Sequence, residues 1–369
     1  MDISLTKEKL KNIYGKVSPF EFKDKLLQLA YLNNNKILDA GRGNPNWTAA
    51  TPRQAFFTFG QFAVLETQRS LNIGDLAGMV QKDGIAKRLL DYIKSNPSLP
   101  GINLINKIYE YGVNTLGFNE DEWVFELTDG IIGDNYPVPD RMLVHIEKIT
   151  NKYLLKELCG DTEFEGNFDV FGVEGGTAAM CYIFDSLEKN HLLNKDDKIA
   201  LMTPIFTPYL EIPHLPHYNF DVINIHANEV DENGLPTYQY TEEDLNKLKD
   251  TDIKAVFIVN PNNPASIALS RDCKDNLISV VKEHNPELMI VTDDVYCTFV
   301  DNFNSLVSEL PYNTLGVYSY SKYFGVTGWR LGTIFLNEKN IFNDLIKKLS
   351  PAMKNELNER YKHLCQNPT

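Results

Sequence analysis

The sequence predicts an α/β fold with a mainly parallel sheet, preceded by a largely helical N-terminal region. From about residue 168 onward, short apolar segments rich in β-branched residues alternate with amphipathic helical patterns. Several of these segments, such as KAVFIVN, lack polar alternation, which is typical of strands covered on both faces. The first 165 residues or so show helical periodicity instead, interrupted by Gly and Pro.

Seven apolar segments predict the strands of the sheet. In chain order they are FDVFGVE, KIALMTP, DVINIHA, IKAVFIVN, ELMIVTDD, LGVYSYS and RLGTIFLN. Helices are predicted between them in TAAMCYIFDSLEKN, TEEDLNKLK and SRDCKDNLISVVKEHN, and earlier in EFKDKLLQLAYLN, AFFTFGQFAVLETQRSL and RMLVHIEKITNKYLLKEL. Thr241 and Ser270 occupy expected N-cap positions, where a hydroxyl accepts a hydrogen bond from a helix amide.

Composition and charge argue against several classes of partner. Lys and Arg number 36 against 50 Asp and Glu, and a net charge of −14 disfavours binding to nucleic acid and to anionic membranes. The opening MDISLTKEKLKN has no apolar signal-peptide core and no apolar run has spanning length, so we expect a cytoplasmic protein. Five widely spaced cysteines without a C-x-x-C pair predict reduced, mostly buried thiols and no metal site.

Polar side chains follow the predicted strands, at the edge where open α/β sheets bind ligands. After the first strand, Gly175 and Gly176 let the backbone approach a ligand, and Thr177 begins a helix whose N-terminal amides suit a phosphate. A Gly-Gly turn is more often turn chemistry alone. After the second strand, Phe206 and Tyr209 offer an aromatic face for a flat ligand, although core packing is the better interpretation of either one taken singly.

The next strand ends carry an amide and a carboxylate. Asn263 in NPNNPAS is a donor toward a ring oxygen or a simple turn residue, two interpretations of about equal weight. Asp293, with Tyr296 three residues later, ends an apolar strand, where a carboxylate needs a cation such as a pyridinium nitrogen. A helix-capping aspartate is the competing explanation.

The segment SYSKYFGVTGWR supplies Ser319, Ser321, Lys322 and Arg330. A lysine whose pKa is lowered by desolvation and by nearby positive charge suits Schiff-base chemistry with an aldehyde cofactor. The serine hydroxyls and the arginine suit a dianion, because Arg contacts two phosphate oxygens at once. A surface lysine extending from a loop is the alternative, but it does not account for the order of the other motifs.

Taken in order, G-G-T, an aromatic residue, N-P-x-N-P, D-x-x-Y, S-x-S-K and a downstream Arg resemble the fold type I pyridoxal 5′-phosphate (PLP) enzymes, the aspartate aminotransferase superfamily. The resemblance covers about residues 170–335. It implies a three-layer α/β/α large domain, PLP as the cofactor, an amino-acid substrate, and a homodimer or larger homo-oligomer.

The resemblance also implies a role for each residue. Lys322 would form the Schiff base with the cofactor and shuttle the substrate proton. Asp293 would keep the pyridine nitrogen protonated, Asn263 and Tyr296 would hydrogen-bond the phenolate oxygen, and Phe206 would stack on the ring. The implied phosphate ligands are Gly176, Thr177, Ser319, Arg330 and, reaching a neighbouring subunit's phosphate, Tyr136.

Within this family the chain looks most similar to the aspartate 4-decarboxylases, which also transaminate aspartate. The similarity lies in GRGNPNW with a helical insertion after it, in TPIFTPYLEIP and in YSKYFGVTGWRLG. Arg42 suits a carboxylate of L-aspartate because its guanidinium makes bidentate contacts, and Gly43 lets the backbone approach the same substrate. An exposed loop arginine is the alternative for Arg42.

The resemblance divides the chain into an N-terminal segment with the glycine loop (1–50), a helical insertion (51–120), a PLP-binding large domain (121–340) and the start of a small domain (341–369). Only a strand and a charged helix follow Arg330, so we expect a truncated small domain without the arginine that binds the substrate α-carboxylate in this family. The expected function is an aspartate 4-decarboxylase with aminotransferase activity. A truncated and inactive form, a general class I/II aminotransferase and a non-catalytic PLP-binding or subunit-interaction remnant are the alternatives.

Overall fold

A computed structural model describes residues 19–32, 43–135, 141–160, 166–365 and 368–369. The chain divides into two compact units. The first comprises the described residues of 1–45 together with 180–290 and 349–369, and the second comprises 46–179 and 291–348.

All seven predicted strands are present, which confirms the α/β fold class. They are β1 (Phe168–Val173), β2 (Lys198–Thr203), β3 (Asp221–His226), β4 (Ile253–Val259), β5 (Met289–Asp293), β6 (Thr314–Ser319) and β7 (Gly332–Asn337). Their order in the sheet is β1-β7-β6-β5-β4-β2-β3. β2 pairs in parallel with β3 and β4, whereas β7 is antiparallel to both β1 and β6.

The described helices lie before, between and after the strands. They are α1 (Pro19–Leu32), α2 (Ala50–Ser70), α3 (Ile85–Ser95), α4 (Ile102–Glu110), α5 (Glu120–Ile132), α6 (Val144–Cys159), α7 (Gly176–Lys189), α8 (Thr207–Glu211), α9 (Glu242–Asn246), α10 (Arg271–Glu283), α11 (Leu306–Glu309), α12 (Ile341–Lys348) and α13 (Pro351–Tyr361).

The first unit is held by an aromatic core on β4. Phe184 stacks on Phe257 with ring centroids 4.5 Å apart, and the fully buried Tyr209 lies 6.1 Å from the same ring. The side chains of Thr241 and Ser270 accept hydrogen bonds from the first turns of α9 and α10, so both predicted N-caps are confirmed.

The second unit contains four helices, α2 to α5, which overlap the predicted helical insertion (51–120). Its core is apolar, with buried side chains from every one of these helices, among them Phe62, Leu89, Ile105 and Val124. Gly101 permits the closest approach, because a Cβ at this position would lie 2.2 Å from the backbone nitrogen of Ala55. The insertion is therefore a packed body rather than an extended linker.

The antiparallel pair β6 and β7 positions the candidate site. Every residue of β6 is buried, and the register of the pair ends at Ser319 opposite Gly332. Residues 320–331, called here the lysine loop, therefore leave the sheet and re-enter it at neighbouring positions. The backbone N–H of Tyr320 donates to the carbonyl oxygen of Leu331 at 3.1 Å and closes the base of this loop.

Three of the five cysteines, Cys159, Cys273 and Cys297, are buried and all five are free, as predicted. Within the described ranges, each helix is too short or too polar to cross a membrane. Across the same residues, no group of three or more His, Cys, Asp or Glu is arranged to hold a metal ion.

Candidate active site

Lys322 lies in the lysine loop and is half-buried. Burial is the largest influence on its amine and lowers the pKa, and the positive charge of Arg330 lowers it further. The negative charge of Asp293 acts in the opposite direction, but the net shift is downward. More of this amine is therefore neutral near physiological pH than in an exposed lysine.

Asp293 is the last residue of β5 and is only 4% exposed. The backbone N–H of Val295 donates to its carboxylate at 3.3 Å. The helical turn that follows begins after Tyr296, which is its N-cap residue, so Asp293 does not cap that turn. Burial and the charge of Asp293 both raise the pKa of the half-buried Tyr296, and its hydroxyl therefore stays protonated.

The turn between β1 and α7 contacts Arg330. Gly175 has a φ of +93°, and a Cβ there would lie 2.8 Å from Nη2 of Arg330. Gly332 at the start of β7 is equally constrained, because its Cβ would lie 2.8 Å from the Cα of Gly175. Sequence reasoning did not assign a role to Gly332, although a glycine at the first position of a strand is a signal for close backbone approach.

The remaining polar groups of this turn come from the start of α7 and the end of β6. A Cβ at Gly176 would lie 3.8 Å from the Cβ of Ser319, which places the two residues in contact distance. Thr177 is exposed in the first turn of α7. Ser319 and Ser321 are both buried, and the N–H of Ser321 donates to Oγ of Ser319 at 3.3 Å.

The second unit thus gathers two kinds of binding group. A guanidinium, a serine hydroxyl and the N-terminal end of a 14-residue helix suit a dianion such as a phosphate ester. A buried carboxylate that acts electrostatically on a half-buried amine suits a cationic ring nitrogen and a carbonyl carbon.

Phe206 and Asn263 belong to the first unit. Phe206 is the half-buried N-cap residue of α8, and Asn263 is half-buried in the segment that follows β4. The neighbouring Asn262 donates from Nδ2 to the carbonyl oxygen of Pro204 at 2.6 Å, so the ends of β2 and β4 are joined. The segments that contain Phe206 and Asn263 therefore meet, whereas Tyr209 is a core residue.

Two predicted site residues, Arg42 and Tyr136, lie outside the described residues. Gly43 is described and is exposed. Their roles in binding substrate and phosphate stay predictions.

Comparison with known proteins shows which family the chain belongs to. The family model for aminotransferase class I and II matches residues 170–363. A curated protein of Pseudomonas sp., named bifunctional aspartate aminotransferase and L-aspartate beta-decarboxylase, is 44% identical over 352 residues. The alignment covers 94% of this chain and 65% of that protein. An aspartate aminotransferase of Thermotoga maritima is 28% identical over 152 residues, which is 40% of this chain and 38% of that protein.

Among solved structures, a double mutant of Thermus thermophilus aspartate aminotransferase has a TM-score of 0.53 at 14% identity, covering 90% of this chain and 65% of that one. This likeness shows a shared fold. The chain spans about two thirds of the length of the Pseudomonas protein and less of the Thermotoga protein. Because the family model covers more than half of the sequence, the chain belongs to the class I and II aminotransferase family.

Proposed function

We propose that this chain binds PLP and acts on L-aspartate, as an aspartate 4-decarboxylase that also transaminates aspartate. The main supporting observation is the lowered pKa of Lys322, whose causes are burial and the charge of Arg330, with buried Asp293 close enough to oppose the shift.

The residues of the second unit fit PLP. Gly175 leaves just enough room for the Arg330 guanidinium, so this turn, Ser319 and Arg330 provide donors for a phosphate. Asp293 is a buried carboxylate suited to a protonated pyridine nitrogen, and Tyr296 keeps a hydroxyl proton that it can donate to a phenolate oxygen. The roles that the sequence implies for Phe206, stacking on the ring, and for Asn263, donating to the phenolate oxygen, stay predictions.

PLP supplies an aldehyde for the amino group of a substrate and a ring that accepts electrons. Lys322 would hold the cofactor and then, as a neutral amine, accept and return the proton at the substrate Cα. Its lowered pKa favours this role, since a protonated amine accepts no proton. Asp293 would stabilise the positive charge on the ring nitrogen, and Arg330 would fix the phosphate end, so that the aldehyde meets Lys322.

Aspartate is proposed as the substrate on two grounds. The Pseudomonas protein, which is 44% identical, carries both aspartate activities in its name. Arg42 is placed by the sequence in a glycine loop, where its guanidinium would bind a carboxylate by two hydrogen bonds. We further expect a cytoplasmic homodimer or larger homo-oligomer.

Product analysis tests the proposal. The purified chain is incubated with PLP and L-aspartate, and the alanine and CO₂ that form are measured. A second assay adds 2-oxoglutarate as the amino-group acceptor and measures oxaloacetate. Alanine with equimolar CO₂ supports the decarboxylase, and oxaloacetate alone supports a general aminotransferase. PLP binding without any product supports a non-catalytic role, and no PLP binding contradicts the proposal altogether. Lys322→Ala is the control that should abolish all turnover.

A further inference from the structure

Arg53, at the start of α2, connects the helical insertion to the lysine loop. Its Nη1 donates to the carbonyl oxygen of Ala49 at 2.8 Å, and its Nη2 donates to the carbonyl oxygen of Gly325. The guanidinium also lies over the indole of Trp329, with the Cζ atom 5.4 Å from the ring centroid. One half-buried side chain therefore contacts the loop at two points four residues apart.

Trp47 makes a second connection beside the first. Its Nε1 donates to the carbonyl oxygen of Tyr323 at 3.0 Å. A Cβ at Gly325 would lie 2.5 Å from the carbonyl oxygen of Trp47, so the two backbones are in direct contact. Phe299 lies within ring-contact distance of both aromatic partners, at 5.8 Å from Trp47 and 5.5 Å from Tyr323.

The lysine-loop residues that Arg53 and Trp47 contact, Tyr323, Gly325 and Trp329, all lie between Lys322 and Arg330. Within this stretch the chain turns back on itself, since the N–H of Gly325 donates to the carbonyl oxygen of Lys322 at 3.1 Å. Arg330 has a φ of +55° and donates from Nη1 to the carbonyl oxygen of Thr327 at 2.8 Å. The shape of residues 323–329 therefore sets the separation of the amine from the guanidinium that binds the anion.

We propose that Arg53 is a positioning residue that, together with Trp47, holds residues 323–329 in the shape that places Lys322 and Arg330 for PLP. The effect on PLP binding rests on the proposed function, whereas the contact of Arg53 with residues 323–329 does not. Arg53 acts through the backbone of Gly325 and the ring of Trp329. The start of the helical insertion thereby becomes part of the architecture that supports the lysine.

The chemistry of the side chain makes the proposal specific. A guanidinium is planar and presents several N–H donors in a fixed fork, so it can serve two carbonyl groups while one face rests on an aromatic ring. Lysine keeps the charge but has a single nitrogen and no flat face. Arg53→Lys is therefore expected to restore part of what Arg53→Met removes, whereas a role in charge alone predicts full restoration.

Hydrogen exchange in the cofactor-free chain measures the contact directly. In Arg53→Met, the amides of residues 323–329 are expected to exchange about tenfold faster, the change that corresponds to loss of one charge-assisted hydrogen bond. Arg53→Lys should be intermediate. Arg69→Met is the matched control, because Arg69 lies at the other end of α2 and pairs only weakly with Glu66 at 3.4 Å. Its exchange in residues 323–329 should equal that of the wild type.

The dissociation constant for PLP, measured by the visible absorbance of the bound cofactor, tests whether the contact of Arg53 affects cofactor binding. It should rise about tenfold in Arg53→Met, less in Arg53→Lys, and not at all in Arg69→Met. Faster exchange with wild-type PLP affinity would overturn the positioning role, as would unchanged exchange in residues 323–329.

Failure of Arg53→Met to fold, and failure of the wild-type chain to bind PLP, each have a separate test. If Arg53→Met does not fold, Trp47→Phe, which removes a single N–H donor and keeps an aromatic ring, is judged by the same two measurements. If the wild-type chain does not bind PLP, the proposed function fails alone, because exchange in the cofactor-free chain still shows whether Arg53 holds the loop.

Discussion

At the scale of single residues, the proposed chemistry depends on charges of opposite sign near the amine of Lys322. Burial and Arg330 lower the pKa of Lys322, and Asp293 opposes them. The three residues are separated by up to 37 positions in the chain, and only the strand ends bring them together. The motif order made each of them predictable, whereas the balance among burial and the two charges required the folded chain.

Replacing Arg330 and replacing Asp293 should shift the pKa of Lys322 in opposite directions. Arg330→Met removes a positive charge that disfavours the protonated amine, so the pH at which half of Lys322 reacts will rise. Asp293→Asn removes a negative charge that favours the protonated amine, so this pH will fall further. Reductive methylation across a pH series, read by peptide mass spectrometry, measures both. The exposed Lys87 is the internal reference, and shifts of the same sign in both variants would contradict the charge assignment.

Asp294, beside Asp293, is fully buried and has a structural role that the motif does not reveal. Its carboxylate accepts hydrogen bonds from Thr292 Oγ1 at 2.8 Å and from Ser305 Oγ at 2.5 Å. Asp294→Ala leaves two buried hydroxyls without this acceptor, so we expect the free energy of unfolding to fall by about 2–4 kcal/mol. Urea unfolding followed by circular dichroism measures the loss.

Asp275→Ala provides the comparison for that measurement. Asp275 is half exposed in an ion pair with Arg271, so its removal should change stability by no more than about 1 kcal/mol. Equal losses in the two variants would show that the buried network around Asp294 is not a source of stability.

At the scale of secondary structure, the central strands β4, β5 and β6 were predictable because their burial is nearly complete. β5 and β6 are buried at every position, which is the physical reason their sequences lack polar alternation. The antiparallel pairing of β7 with β1 was not predictable, because pairing across more than 150 residues leaves no local pattern. The sequence predicted a helical region but not the individual helices α3, α4 and α5, because Gly and Pro divide this region into short segments.

The same long-range limit applies to the site. Local motifs at strand ends predicted roles for Lys322 and Asp293, but no motif predicted a role for Arg53. Its partner carbonyl at Gly325 is 272 residues away, and nothing in the helix that contains Arg53 indicates the contact. Residues that act through the backbone of a distant loop leave no pattern for sequence reasoning to find.

Close helix packing in the insertion yields an element-scale prediction. Gly101→Ala places a Cβ 2.2 Å from the backbone of Ala55 at a φ of +78°, so the α2–α4 contact must open. We expect a loss of about 3 kcal/mol or more in the free energy of unfolding. Gly117→Ala has a φ of +69° but no atom within 4 Å, so only backbone strain of about 1 kcal/mol is expected there. Urea unfolding of both variants separates the clash from the strain, and equal losses would contradict the packing argument.

At the scale of the whole molecule, one compact unit, the second, holds Lys322, Asp293, Arg330 and the Gly-Gly turn. Because the net charge is −14, binding of an anionic ligand depends on local positive charge, which Arg330 of the lysine loop is proposed to supply. If Lys322 holds the cofactor as proposed, PLP reacts at this one lysine and not at the many other lysines of the chain.

Trapping the cofactor on that lysine is the most direct test. The wild-type chain is incubated with PLP, reduced with borohydride, digested and analysed by peptide mass spectrometry. The pyridoxyl mass is expected on Lys322, and Lys322→Ala is expected to lose it while its fold, followed by circular dichroism, is retained. Labelling spread over exposed lysines, or labelling of equal amount in Lys322→Ala, would contradict it.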